Sequence, residues 1–349
     1  MAKKSVVVII FFFLAICFYK WSGFFNKDLG EAAFNGDYSM VKSLLERGAD
    51  PDKLDSSGWP PICRAIEQDH YKVVELLIQH NANLEIVDNV DGQAEYMNRA
   101  AVKSLSKLIA LPEKMFFRKT PVFWALSHKR RKILELLIDN GANIEAVETE
   151  LGWTPLHLAL GMWDESLVSF MITKGADVKK KDAFKRTPLH TAVNCRDDIM
   201  GKQIIDAGGM NDEQDLADMT PLWVAVSWRN EAAVRLLLKH GAKPNVIKKT
   251  GCSLFNYAFG KIEYAFSNKD QSINIIALLL EAGADVNEVD PRGGSPLHWA
   301  VLSEQKDMVS LFLKHGAKIG AKDSKGRTPL RIARDMGYKE IAELLEISW

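Results

Sequence analysis

The chain has 349 residues, 45 of them basic and 45 acidic, with 47% apolar and 26% charged residues. That composition excludes a disordered chain, and the balanced charge leaves no basic field for a sequence-independent grip on nucleic-acid phosphates. The four cysteines, Cys17, Cys63, Cys195 and Cys252, form neither a CxxC pair nor a disulfide framework, and so few of them fit either redox compartment.

The first element is apolar. Lys3 and Lys4 precede an unbroken run at residues 6–19 (VVVIIFFFLAICFY), followed by Lys20, Trp21, Phe24 and Phe25. A membrane span wants about 20 residues, a length reached here if Lys20 snorkels and the aromatics sit at the far interface. No small-x-small cleavage site follows the run. Residues 1–27 therefore read as a signal anchor or signal segment, and the leading lysines place everything after Lys20 across the membrane. Leu14-Ala15-Ile16-Cys17 leaves a lipoprotein as an alternative, although Ile16 stands where a lipobox has a small residue.

From residue 28 onward the sequence repeats itself. Residues 29–52 supply a worn first unit and Pro60 (PPICRA) opens a second. Hexamers then start at Thr120 (TPVFWA), Thr154 (TPLHLA), Thr187 (TPLHTA), Thr220 (TPLWVA), Ser253 (SLFNYA), Ser295 (SPLHWA) and Thr328 (TPLRIA), spaced 34, 33, 33, 33, 42 and 33 residues apart. Between Pro60 and Thr120 lie about 27 extra residues, near 87–118, in which Val102, Leu105, Leu108 and Ile109 make one apolar helical face before Pro112. A shorter insertion of about nine residues lies near 261–272, and the last unit ends in a polar cap at residues 327–349.

Each recurring residue has a physical reason. Threonine can cap exposed helix N–H groups, and proline, which has no N–H to lose, suits the first helical turn. Paired leucines, among them Leu136-Leu137, Leu236-Leu237 and Leu344-Leu345, give a second helix its apolar stripe. A glycine then ends it, as at Gly48, Gly141, Gly175, Gly241, Gly283 and Gly316, where the chain must enter the left-handed region.

With its 33-residue period and TPLHxA signature the sequence resembles the ankyrin-repeat family over almost its whole length. The resemblance implies an all-α ankyrin-repeat solenoid of about nine helix-turn-helix units with β-turn fingers, occupying residues 28–349. It also implies that His157, His190 and His298 are structural hydrogen-bonders between adjacent loops. His80, His240 and His315 precede the turn glycine or its equivalent, His70 lies between helices, and His128 falls in a basic turn. No HExxH, phosphate loop or nucleophile elbow appears, so the expectation is a protein that is not an enzyme and needs no metal or cofactor.

In ankyrin proteins the residue before the signature threonine and those following the first helix face the binding groove. Carried onto this sequence, that puts Trp59, Trp153 and Met219 in the first class, and Gln68, His128, Met162, Cys195 and Trp228 in the second. The bland alternative for each tryptophan ring is packing on its own repeat; Trp124, Trp223 and Trp299, inside the hexamers, are expected in the core. The expected function is a membrane-tethered protein-protein interaction module, monomeric when unbound, anchored in the inner membrane with its repeats in the periplasm. Within that class it resembles bacterial immunity proteins that neutralise a secreted antibacterial toxin, such as a type VI lipase effector. The alternatives are an envelope scaffold or stress-protection factor, and a cytosolic or host-directed adaptor.

Overall fold

A computed structural model describes residues 28–88, 119–147, 151–194, 198–209, 212–249, 253–263, 269–290 and 293–347. The apolar run at 6–19 and the helical face at 102–109 lie outside these residues. So does Cys195. Among the described residues no helix is long and apolar enough to cross a membrane.

The helices come in alternation, most first helices beginning at the signature proline and each followed by a second helix after a short turn. In chain order they are α1 (Leu29–Phe34), α2 (Tyr38–Glu46), α3 (Pro61–Glu67), α4 (Tyr71–Gln79), α5 (Pro121–Ser127), α6 (Arg131–Asp139), α7 (Pro155–Gly161), α8 (Glu165–Thr173) and α9 (Pro188–Ala192). They continue as α10 (Ile199–Asp206), α11 (Pro221–Ser227), α12 (Glu231–Lys239), α13 (Leu254–Glu263), α14 (Lys269–Glu281), α15 (Pro296–Leu302), α16 (Lys306–Lys314), α17 (Pro329–Met336) and α18 (Lys339–Ile347). The one β feature among the described residues is an isolated antiparallel bridge between Ile247 and Ser253.

Two compact units divide the chain, one drawn from Met1–Leu158 with Lys174–Ala176, the other from Ala159–Thr173 with Asp177–Trp349. Within the first, α1, α3 and α5 pack in one row and α2, α4 and α6 in another. Within the second, α9, α11 and α13 form a row, α15 lies on α17, and α8, α10, α12 and α14 run alongside. Stacking buries the leucine pairs unevenly: Leu45, Leu77, Leu137, Leu237, Leu279 and Leu345 are buried, whereas Leu44, Leu136, Leu278 and Leu344 are half-buried. The second leucine of every pair thus supplies the core, joined at two pairs by the first, Leu76 and Leu236, at about 1.5–3 kcal/mol per fully buried side chain.

Neighbouring repeats are joined by two polar ladders that the hexamer pattern does not announce. In the fingers, the side chain four residues past the turn glycine or its equivalent accepts the N–H two residues past the next one: Asn83 N to Asp52 Oδ1 (2.8 Å), Asn143 N to Glu85 Oε1 (2.7 Å), Lys243 N to Asp212 Oδ1 (3.0 Å), Asp285 N to Asn245 Oδ1 (3.0 Å) and Lys318 N to Asn287 Oδ1 (2.8 Å). Between the helices, the residue before a second helix reaches the end of the preceding first helix. His70 Nε2 lies 3.0 Å from Phe34 O, Arg130 Nη2 donates to Glu67 O at 2.8 Å, and Asn230 Nδ2 donates to Val193 O at 3.0 Å.

These ladders locate the long insertion. Asn143 bonds Glu85, Arg130 bonds Glu67, and α5 lies on α3, so the repeats on either side stack as immediate neighbours. Asp88 and Lys119, which bracket the extra residues, are therefore held on adjacent repeats. Both ends converge on one indole: Trp124 Nε1 donates to Asp88 Oδ2 at 2.9 Å, and the Lys119 ammonium lies 5.1 Å from the Trp124 ring centroid.

The turn glycines hold the expected conformation, with φ of 89° at both Gly141 and Gly283. A Cβ built at either position meets nothing within 4 Å, so the penalty for a side chain there is conformational and not steric. Gly141→Val and Gly283→Val should each lower unfolding free energy by about 1 kcal/mol or more, measured by chemical denaturation; unchanged midpoints in both would overturn this account of the turn.

Candidate protein-binding surface

Five of the fingers are built on one carboxylate each, at Asp55, Asp182, Asp215, Asp290 and Asp323. Asp55 Oδ1 accepts from Ser57 N (2.8 Å) and Trp59 N (3.0 Å), while its Oδ2 takes Arg64 Nε at 2.7 Å. Asp182, Asp215 and Asp323 repeat the pattern with the N–H groups two and four residues on. The residue three past the aspartate then turns left-handed, as Gly58, Lys185, Asp218, Gly293 and Gly326. This aspartate-based turn is written in the sequence as Asp-x-x-x-x-Thr/Ser/Pro-Pro, and reading the hexamers alone misses it.

The finger then delivers its last residue onto the first helices. This overturns the exposure expected for two tryptophans. Trp59 is only 8% exposed, because Arg64 of its own repeat lies 4.5 Å over its ring and Trp124 of the next lies 4.5 Å away at 48°. Trp153 is 7% exposed. Packing on the repeats, the bland alternative, describes both. Trp124 and Trp223 are buried as expected, and Trp299 is half-buried against Gly294.

Residues following the first helices fare differently. In the first unit Gln68 is exposed, and His128 is half-buried, stacked on Trp124 at 5.1 Å with Nδ1 3.0 Å from Trp124 O. Burial lowers the His128 pKa from the ordinary histidine value. In the second unit Met162 and Met219 are half-buried, and Trp228 is 51% exposed. Beside Met162 stands a residue the family pattern did not single out: Trp163 is 59% exposed and holds φ at 56°. Its turn position is shared by Asp69, Lys129, Arg229 and Glu304, all left-handed. A large aromatic is a costly choice at positive φ. The second unit thus offers two open indoles, Trp163 and Trp228, from equivalent inter-helix turns.

The signature histidines are spent on structure. At His190 the backbone N–H of Thr187 points to Nδ1 at 3.1 Å, which leaves the proton on Nε2 to donate to Met219 O at 3.0 Å. His298 does the same between Ser295 N (3.2 Å) and Arg327 O (3.0 Å). His157 pairs with Thr154, whose Oγ1 lies 2.9 Å from Nδ1. Each therefore fastens a cap, and in two cases the next finger. Trp223 takes this position in its own repeat, where the Lys248 ammonium lies 4.6 Å over its ring. Among the described residues no group of three or more His, Cys, Asp or Glu side chains is placed to hold a metal ion.

Burial lowers the pKa of both His190 and His298 from the ordinary histidine value. A folded-state pKa below the unfolded value of about 6.5 means that the unfolded chain binds more protons in this window. Their stabilisation is complete above that pH and is lost as pH falls through it. Melting temperature should fall between pH 7 and pH 5, and the slope should shrink in His190→Gln/His298→Gln; an unchanged slope would show that these rings do not titrate with unfolding.

Models of known families and proteins agree with this geometry. The model described as Ankyrin repeats (3 copies) matches residues 29–106, 93–182, 163–248 and 262–347. A putative ankyrin repeat protein of Rickettsia bellii (strain RML369-C) is 45% identical over 51 residues, 15% of each chain. The probable E3 ubiquitin-protein ligase XBOS32 of Oryza sativa subsp. japonica is 25% identical over 163 residues, 44% of this chain and 32% of that protein. These matches span less than a third of either relative. The crystal structure of the ankyrin repeat domain of Bcl-3, of the IkappaB protein family, superposes with a TM-score of 0.55 at 26% identity, over 65% of this chain and 98% of that one. Ankyrin repeats bind other proteins, and the chain belongs to the ankyrin repeat family.

Proposed function

We propose that the chain is a membrane-tethered protein-binding module whose partner docks on the inter-helix turns of the second unit, with Trp163 and Trp228 as anchors. The observation that carries this reading is their exposure at equivalent turns while most other tryptophans are packed away. Large aromatics are the commonest anchors of protein interfaces, and leaving two in water has no folding rationale. Met162 extends the apolar surface beside Trp163. In the first unit Gln68 and His128 hold the corresponding positions with smaller or half-covered side chains.

The tether is the apolar run at 6–19 with its flanking lysines, which orient the repeats outside the cytoplasm of a bacterial cell. In that setting the partner is an incoming antibacterial toxin, and the module neutralises it by occupying its surface. This narrower reading rests on the anchor and its orientation.

Full-length chain captured with its cross-linked partner should lose that partner in Trp163→Ala and Trp228→Ala, by about 2 kcal/mol or more for an interface anchor. Retention by the double variant, with its melting temperature intact, would reject these turns as the site. A phosphatase fused after Lys27 should be active in the periplasm; an active cytosolic reporter at the same junction would reverse the topology. Protection of cells co-expressing the toxin, lost in the same double variant, would support immunity, and unaltered killing would reject it.

A further inference from the structure

The fingers of the second unit carry charge of alternating sign. Residues 177–187 hold five basic and two acidic side chains, 210–220 hold four acidic and no basic, and 243–253 hold three basic and no acidic. The alternation continues with three acidic against one basic at 285–295, then four basic against one acidic at 318–328. The period of the repeat does not require this. The turn-forming aspartate accounts for one acidic residue in four of these fingers, at Asp182, Asp215, Asp290 and Asp323, and Lys248 stands in its place in the fifth; the remaining charges are free to be of either sign.

We propose that the acidic finger at 210–220 is an electrostatic clasp, holding the basic fingers on either side of it and fixing the register of the row. On one side Lys181 Nζ meets Glu213 Oε2 at 2.6 Å, next to a backbone bond from Leu216 N to Phe184 O of 2.9 Å. On the other, Lys249 Nζ meets Asp218 Oδ1 at 2.8 Å and Lys243 Nζ lies 3.7 Å from Asp212 Oδ2, whose Oδ1 also accepts the Lys243 N–H. Four bonds thus leave one finger for its two neighbours through carboxylates. The Lys249 ammonium holds the Asp218 carboxyl below the usual carboxylate range, as a direct ion pair should.

Exposed ion pairs taken singly contribute little. Here they join segments whose larger apolar side chains include the exposed Phe184, Leu216 and Ile247, and the helix that follows the first basic finger, α9, has only five residues. Alternation adds a second effect. A slip of the row by one repeat would set basic finger against basic and acidic against acidic, so the same charges that attract in register repel out of it. Because these groups are exposed, the clasp weakens with salt: at 1 M the screening length is about 3 Å. The fingers of this unit therefore loosen or tighten with ionic strength while the helices behind them stay packed. This goes beyond the proposed docking site and does not depend on it.

Hydrogen exchange of the full-length chain in detergent tests the clasp. Raising NaCl from 50 mM to 1 M should speed exchange of the Leu216 and Lys243 amides about threefold, with α11 and α12 unchanged. At low salt, Lys181→Glu and Glu213→Lys should each speed the Leu216 amide by a similar factor, and the double swap should restore it to near the wild-type rate. Single variants that exchange like wild type, a double swap no slower than the singles, or wild-type fingers indifferent to salt would each overturn the proposal. The salt arm needs no variant and stands even if one fails to fold.

Discussion

At five junctions among the described residues an oxygen four residues past the turn glycine or its equivalent accepts the N–H two residues past the next, and this interaction fixes those neighbouring repeats on one another. A single helix pair has an apolar face it cannot cover, so each repeat is stable only against another. Apolar contact alone does not fix how far one pair slides along the next. The directional bonds do: Asp52, Glu85, Asp212, Asn245 and Asn287 each set a neighbour at hydrogen-bond distance, and Asn245 and Asn287 also donate to the carbonyls of Gly283 and Gly316. The core leucines, the capped first helices and the histidine bonds to the following finger all presuppose that spacing.

This division of labour explains where function can reside. Arg64 and Trp124 need the last finger residue as a lid, so a tryptophan placed there is covered whatever its size. The inter-helix turn faces no such lid. Its backbone is fixed by the left-handed residue, and the side chain it carries is left to solvent. A tryptophan at that point adds nothing to the stack and a good deal to a partner.

The architecture was readable from the hexamers and the 33-residue period because helix starts and turn glycines are local events with local chemistry. Gly141 and Gly283 could be assigned their conformation from sequence for that reason. The burial of Trp59 was not readable, since it depends on Trp124, which lies on the far side of a long insertion. Trp163 escaped notice because its neighbour Met162 occupies the family's contact position, and nothing in the sequence marks a non-glycine residue as left-handed. The finger ladder was hidden differently: its acceptors are Asp, Glu or Asn without preference, so no single letter recurs. The aspartate that folds five of the fingers does recur, at Asp55, Asp182, Asp215, Asp290 and Asp323, and marks an N–H acceptor five residues before the signature position.

The meeting of Asp88 and Lys119 has one more consequence. Because both are held at Trp124, the fold already brings together the ends of any segment that joins them, and the entropy of such closure grows only with the logarithm of segment length. Sequence can be added to or removed from this point at little thermodynamic penalty, whereas a residue added beside Glu85 would disturb the rung it makes to Asn143. Evolution, or an engineer, can therefore treat this junction as a grafting port: a place to exchange whole segments of foreign chain without renegotiating the stack that carries them.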